Sequence, residues 1–435
     1  MPASADRSPV DSKASARAAF AYPDFIAFSL ARFCIVAALE MQSVAVGWQV
    51  YEITKRPLDL GLIGLAQFLP GITLFLPAGH AVDRLNRRRL VTFCYVSFAM
   101  CSAMLFLLAQ RKISSVHPIY GVVVLLGIVR SFNFPAARAI LPQLVPEVHF
   151  SNAVAWSSSI FQTATILGPT FGGLLYAFAG GPELVYGAAM LTGMIAALAM
   201  TRVKASEKAR AREPINLETV FAGFRYIWHE KLILGSISLD LFAVLLGGAV
   251  ALLPVYARTI LHTGPWGLGL LRSAPGVGAA AMAVLLAHRP LRRQAGPVML
   301  MCVAGFGIFT IIFGLSRSLI LSLVALLLVG ASDMVSVVIR AILVQLRTPD
   351  AMRGRVNAVD MIFIGASNQL GEFESGLTAH WFGTVPAVVL GGVGTLVIIG
   401  LWTWIFPELR QPRDVTTERF EESTAADPSQ TISAP

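Results

Sequence analysis

Long apolar runs broken by short polar stretches fill the chain from about residue 24 to 407. They lie at 25–52, 59–79, 90–110, 117–141, 152–178, 183–201, 232–258, 267–288, 296–316, 318–346, 356–383 and 385–406. A helix rises about 1.5 Å per residue and the hydrocarbon layer is about 30 Å thick, so about 20 apolar residues make one crossing. Each run therefore predicts a transmembrane helix. The longest polar stretch, about 202–230, opens with RVKASEKARAREP and leaves six runs on either side. Within it, LETVFAGFRYIW places Val220, Phe221, Phe224 and Trp228 at helical spacing. That predicts a short amphipathic helix, either lying on the membrane surface or packed on the bundle as a connector.

The two sets of six are related in sequence. Gly64-Leu65 and Pro70-Gly71 of the second run match Gly269-Leu270 and Pro275-Gly276 of the eighth. At the end of the fourth run RAILPQL (Arg138 to Leu144) matches RAILVQL (Arg340 to Leu346). Asn152-Ala153-Val154 then matches Asn357-Ala358-Val359, and Leu167-Gly168 matches Leu370-Gly371. Four matches in one order at a nearly constant offset define a repeat. Six crossings return the chain to its starting side, so the copies are parallel, which predicts a binding site near the midplane between them. The expected fold is an all-α membrane protein of twelve transmembrane helices in two six-helix parallel repeats. Its segments are a tail at 1–23, a six-helix half at 24–201, a central loop at 202–230, a second half at 231–407 and a tail at 408–435.

Charge adds orientation. The net charge is +9, and 23 of the 34 Lys and Arg residues fall on the side of the N-terminus. The opposite side holds Lys55, Arg56, Arg111, Lys112, Arg258 and Arg317. This is the positive-inside bias, so the basic balance reports topology, with both termini cytoplasmic, rather than a nucleic-acid partner. Composition agrees with a lipid environment: 14% charged residues against about 25% in soluble domains, 55% hydrophobic residues, and a mean hydropathy of +0.68. Cys34, Cys94, Cys101 and Cys302 fall in apolar runs without metal-ligand spacing, which predicts free thiols and no metal. The polar start of the chain carries no A-x-A-like cleavage site before the first long run, which predicts an uncleaved anchor. H-E-x-x-H, G-x-S-x-G and G-x-x-x-x-G-K-[ST] patterns are missing from the sequence, so no enzyme, nucleotide-binding or cofactor chemistry is expected.

The loop after the second run reads GHAVDRLNRRR from Gly79 to Arg89. Gly79 permits close helix approach, Asp83 can accept charge-assisted hydrogen bonds, and Arg84, Arg87 and Arg88 hold the loop at an anionic lipid face. The pattern resembles the G-x-x-x-D-R-x-G-R-R signature of the major facilitator superfamily, with Asn86 at the usual second glycine. A weaker copy runs from His288-Arg289 to Arg292-Arg293. RSFNFPA (Arg130 to Ala136) is similar to that family's R-x-x-Q-G-x-G motif, with Asn133 for Gln. LGPTFGGL (Leu167 to Leu174) is similar to the G-P-x-x-G-G signature of its antiporters. Pro169 is expected to kink this helix, while Gly168, Gly172 and Gly173 allow close packing. The second half reads LGEFESGL at the corresponding place. Ala136-Ala137-Arg138, Leu141-Pro142 and the stretch from Asp240 to Pro254-Val255-Tyr256 resemble the bacterial enterobactin-exporter branch.

Charges within the apolar runs are functional candidates by default, since each costs at least about 2.5 kcal/mol to insert. They are Arg32, Glu40, Arg130, Arg138, Asp240, Arg272, Asp333, Arg340, Glu372 and Glu374, with Asp360 nearer a helix end. Glu40, near mid-depth, is the first choice for a proton-carrying carboxylate, with Arg130, which the resemblance implicates in proton coupling, as its changing neighbour. Arg32, Asn133, Asp240, Arg272, Asp333, Glu372 and Glu374 are candidates for the substrate cavity. Arg272, Asp333, Glu372 and Glu374 are placed in the second half, and the last two, two residues apart, point in different directions. The resemblance implies a gating latch at Asp83 and Arg84 and a monomeric inner-membrane transporter that exports a small organic molecule by proton antiport. Symport, facilitated uptake, and a receptor or scaffold without transport stay open, since the fold fixes no direction. The first half is expected to handle coupling and gating, the second to set what is carried.

Overall fold

A computed structural model describes residues 17–204, 217–289 and 295–410; the side chains of Leu76, Asp83, 217–220, Ala295, Asp350 and Ala351 also fall outside the description. Most of the two predicted tails, the first part of the central loop, and Arg292 and Arg293 therefore lie outside the described residues. The described residues form helices α1 (Pro23–Thr54), α2 (Pro57–Thr73), α3 (Phe75–Arg84), α4 (Arg87–Gln110), α5 (His117–Ile140), α6 (Phe150–Ala179) and α7 (Glu183–Thr201). The remainder are α8 (Leu217–His229), α9 (Lys231–Gly247), α10 (Gly264–His288), α11 (Ala295–Leu315), α12 (Leu319–Arg347), α13 (Asp350–Phe382) and α14 (Thr384–Ile405).

With α2 and α3 counted as one interrupted segment and α8 set aside, these are the twelve predicted crossings. Among the described residues, eight are long and apolar enough to span a membrane on composition alone. The four that fall short are α1, the α2 and α3 pair, α6 and α13. Two of them, α1 and α13, carry charged candidates, Arg32 and Glu40 on the first and Asp360, Glu372 and Glu374 on the second. Charged residues at membrane depth lower the mean hydropathy of α1 and α13.

Two crossings are less regular than the apolar pattern predicts. The second breaks at Leu74, whose N–H bonds the Pro70 carbonyl at 2.9 Å before α3 begins. The seventh leaves the α-helix at Gly248 and continues through a 3₁₀ turn at Ala249–Leu252 and a π turn at Tyr256–Ile260. A broken helix at membrane depth persists only where its freed polar groups find protein partners. Here the Ser375 hydroxyl donates to the Gly248 carbonyl at 2.9 Å, and buried Tyr256 donates to the Gly314 carbonyl at 2.8 Å. By contrast, α6 runs as one helix through Pro169.

The chain divides into two compact units. Unit 1 is Met1–Lys55, Ala66–Ile215 and Thr263–Ser273; unit 2 is Arg56–Leu65, Asn216–His262 and Ala274–Pro435. In unit 1, α1 packs on α6 and α7, and α4 on α5 and α7. Small residues permit this: a Cβ on Gly172 would stand 2.8 Å from the Met41 Cα, so no side chain fits there. Two buried polar pairs join helices here, with Ser102 donating to Gln42 Oε1 at 2.6 Å and Tyr186 to Gln49 Oε1 at 2.7 Å. In unit 2, α9 packs on α13 and α14, and α11 on α12 and α14, around Leu239, Met299, Val335 and Ile339.

The central amphipathic helix is a connector seated on unit 2. Gly223 meets the Arg355 backbone of α13, where an added Cβ would stand 2.6 Å from the carbonyl oxygen. Tyr226 donates to the Arg347 carbonyl at 2.7 Å, and Ile227 is buried against Ile233, Ile237, Val344, Val356 and Val359. The other face carries Phe221 and Trp228, 65% and 62% exposed. Ile227→Ala should therefore destabilise the protein by about 2–4 kcal/mol and lower its detergent melting temperature. Trp228→Ala should leave that temperature nearly unchanged, and equal losses from both variants would contradict this seating.

Candidate functional site

Glu40 lies in the middle of α1, where Gly168 of α6 clears the space beside it: a Cβ on Gly168 would stand 2.6 Å from the Glu40 Cβ. The carboxylate faces Arg272, with Nε to Oε2 at 3.9 Å and both side chains partly open to solvent. At that distance the contact is an ion pair without a short hydrogen bond. One residue on, Ser273 and Thr170 share a hydroxyl hydrogen bond at 2.8 Å, and Ser273 also reaches the Ile166 carbonyl at 2.6 Å. Gly173 of α6 meets Gly269 and Pro265 backbone to backbone. The G-P-x-x-G-G stretch thus lets α6 lie against both α1 and the opening turns of α10.

On α5, Arg130, Phe134 and Arg138 recur every four residues and share one face. Arg130 donates from Nη1 to Gln67 Oε1 at 2.5 Å, and the Arg138 guanidinium lies 4.5 Å from the centre of the Phe134 ring. Arg32 of α1 lies over the Phe161 ring at 5.4 Å. The buried Arg32 Nε and Asn133 Oδ1 have no hydrogen-bond partner.

The stretch expected as a loop from Gly79 to Arg89 is mostly helical: Gly79 to Arg84 complete α3 and Arg87 to Arg89 open α4, with Gly79 buried, Arg84 exposed and the Asp83 side chain outside the described residues. Arg87 donates to the Ala139 carbonyl near the end of α5 at 3.2 Å. Asn86 is the N-cap of α4, its Oδ1 accepting from the Arg89 N–H at 3.1 Å. The departure from glycine at this position supplies a capping group. Arg88 is half-buried in the first turn of the same helix.

Unit 2 concentrates carboxylates. Arg340, 4% exposed, pairs with Asp240 of α9 and approaches Asp360 of α13 at 3.8 Å. Asp240 and Asp333 line one small cavity with Val303, Phe306 and Ser336. Thr378 donates to Glu374 Oε1 at 2.7 Å, whereas the Glu372 side chain packs where a Cβ on Gly64 would fall. The two glutamates of α13 do face different neighbours.

Several sequence-predicted neighbours part company here. Glu40 meets Arg272, and Arg130 meets Gln67, so the expected pairing of Glu40 with Arg130 is absent. Arg272, expected among the second-half residues, belongs to unit 1 with Glu40. Asp240 is engaged in a buried ion pair. Gln67, Phe134, Phe161 and Thr170 were not anticipated, because their importance lies in partners on other helices. Arg340 carried a readable signal, the RAIL repeat it shares with Arg138.

Comparison with known proteins decides the family. The family model described as transmembrane secretion effector matches residues 14–429. The chain belongs to this transmembrane secretion effector family of major facilitator superfamily transporters. It is 28% identical over 397 residues to the enterobactin exporter EntS of Shigella boydii serotype 4 (strain Sb227), covering 90% of this chain and 94% of that protein. Identity and coverage are the same for EntS of Escherichia coli O139:H28 (strain E24377A / ETEC). A bacterial homologue of the human lysosomal transporter Spinster superposes with TM-score 0.70 at 14% identity, covering 89% of this chain and 98% of that one. A D-xylose-proton symporter gives TM-score 0.67 at 14% identity, with 88% and 98% covered. These two structures establish the shared fold. The protein is thus a multi-pass membrane transporter acting on a small molecule, and not an enzyme.

In a transporter of this family, the buried charges of unit 2 must be balanced for its helices to hold together. Removing one member of a buried ion pair strands the other and costs about 3–5 kcal/mol, whereas replacing both can be neutral. Asp240→Ala and Arg340→Met should each lower thermal stability in detergent strongly. The double variant should lose less than the sum of the two; strict additivity would show that the pair is not coupled.

Proposed function

We propose that the protein is a proton-driven exporter of a small organic molecule in the bacterial inner membrane, working as a monomer with both termini in the cytoplasm. Export is the activity of relatives matched along nearly their whole length. The positive-inside distribution of Lys and Arg supports the orientation.

The observation that carries the coupling is the ion pair of Glu40 and Arg272 at 3.9 Å. At an effective dielectric of about 20, two unit charges about 4 Å apart attract by about 4 kcal/mol, before desolvation costs are counted. A proton on Glu40 removes that attraction and frees Arg272. Arg272 stands at the end of the stretch of α10 that packs on α6 through Gly269 and Ser273. Neutralising one carboxylate therefore weakens the hold of α1 and α6 on the opening turns of α10. Deprotonation restores it. Proton occupancy is in this way tied to a helix contact that must change during alternating access. Arg130, hydrogen-bonded to Gln67 within the same unit, tunes the polarity around α5 and is not the direct counter-charge. Arg87, in the first turn of α4 just past the end of α3, ties this corner to the end of α5, which suits a cytoplasmic latch.

Everted membrane vesicles from an overexpressing strain, energised to an acid interior, provide the test. With acridine orange reporting the pH gradient, compounds from a panel of organic acids and drugs that dissipate it are substrates. Glu40→Gln should cut the response at least about tenfold, with Arg272→Gln similarly affected and Arg130→Gln less so. Accumulation of a substrate in the vesicles that a protonophore leaves unchanged would overturn the proton coupling, and absence of accumulation would overturn export.

A further inference from the structure

Unit 2 carries its charge unevenly. Away from helix ends, its described crossings hold one cation, Arg340, against Asp240, Asp333, Asp360, Glu372 and Glu374. Arg340 engages Asp240 through Oδ2 and approaches Asp360 at 3.8 Å. Asp333 lies two turns before Arg340 on α12 and has neither an ion pair nor a hydrogen bond among the described residues.

Asp333 and Asp240 line one small cavity, together with Ser336 of α12 and with Val303 and Phe306 of α11. Its volume is about 10 Å³ at the centre of a water-sized sphere, room for a single atom-sized guest. Ser336 is 3% exposed and follows Asp333 by one turn, so the two share a face of α12. Elsewhere in unit 2, Thr310 and Thr395 return their hydroxyls to the carbonyl one turn back, at 2.8 and 3.1 Å. The Ser336 hydroxyl makes no hydrogen bond among the described residues, although it lines the cavity. A buried hydroxyl without a partner works against stability, and so does an unpaired carboxylate at membrane depth. One guest that takes oxygen ligands relieves both.

The surroundings define that guest. Arg340 offsets only one of the two carboxylates on the cavity, so the charge left over is negative and the guest is a cation. The space excludes an organic one. Calcium takes about 6–8 oxygen ligands, more than these walls supply. Asp240 lies in the last turns of α9, which end at the break at Gly248, and the negative end of that helix dipole adds to the attraction. A proton needs one oxygen and no space, whereas here oxygens from two helices flank a gap. We propose that Asp333, Asp240 and Ser336 form a binding site for a small monovalent cation such as sodium, which ties α9 to α12 beside the break at Gly248. The site is separate from the Glu40 pair and does not rest on the exporter reading.

Thermal unfolding of the purified full-length protein in detergent provides the test, with sodium chloride replacing choline chloride at constant ionic strength and pH. Above the dissociation constant, each tenfold rise in sodium should raise the melting temperature by about 2–4 °C. Equilibrium binding of radioactive sodium should give about one ion per chain. Asp333→Asn should abolish both responses while melting in choline at or above the wild-type temperature, since the unpaired charge is gone. Ser336→Ala should weaken sodium binding severalfold and serves should Asp333→Asn fail to fold. Glu40→Gln should keep the sodium response, which separates this site from the coupling reading. Equal melting temperatures in sodium and choline, sodium binding retained in folded Asp333→Asn and Ser336→Ala variants, or stabilisation by acid with indifference to sodium would each overturn the site.

Discussion

A charge inside a membrane protein must be matched by another charge, a hydrogen bond or a polar pathway, and that constraint organises this molecule. Each unit meets it differently. Unit 2 buries Arg340 against Asp240 and leaves further carboxylates around it, some on a small cavity and some bonded to hydroxyls. Unit 1 binds Glu40 to Arg272 and sets Arg32 and Arg138 beside rings and Arg130 beside an amide. The first arrangement fixes helices; the second places one ion pair beside the contact of α6 with α10. In the proposed reading coupling draws on unit 1, through Glu40 of α1 and Arg272 of α10.

Packing serves the same end. Helices lined by alanine and glycine approach closely enough for short polar side chains to reach across, as Thr170 and Ser273 do beside the Glu40 pair. Where a helix breaks, at Gly248, a neighbouring serine takes up the released carbonyl. Polar groups are tolerated at depth because the backbone geometry around them was made tight by residues with almost no side chain.

The architecture was largely legible in the amino-acid sequence because hydropathy reports burial in lipid along one dimension. The twelve apolar runs and the connector helix at LETVFAGFRYIW correspond to observed helices within a few residues. What stayed hidden was three-dimensional. The tripeptide spacing of Glu372 and Glu374 revealed that they diverge, since that follows from helical period alone. The partner of Glu40 could not be read, because Arg272 lies 232 positions away and reaches it only through the seating of Gly269 against Gly173. The break at Gly248 was equally hidden within a continuous apolar run. Asn86 shows the reverse case: a departure from a motif that local capping chemistry explains.

The duplicated RAIL segment carries a further lesson. Arg138 and Arg340 occupy equivalent places in an internal repeat, yet one rests on a phenyl ring and the other is clamped between carboxylates. Duplication copied the letter and later divergence rewrote its surroundings, so ancestry and electrostatic role have separated. Variant effects measured at one of these arginines therefore cannot be transposed to its twin. Any symmetry-based inference across this class of repeat proteins needs the neighbouring side chains as well as the aligned position.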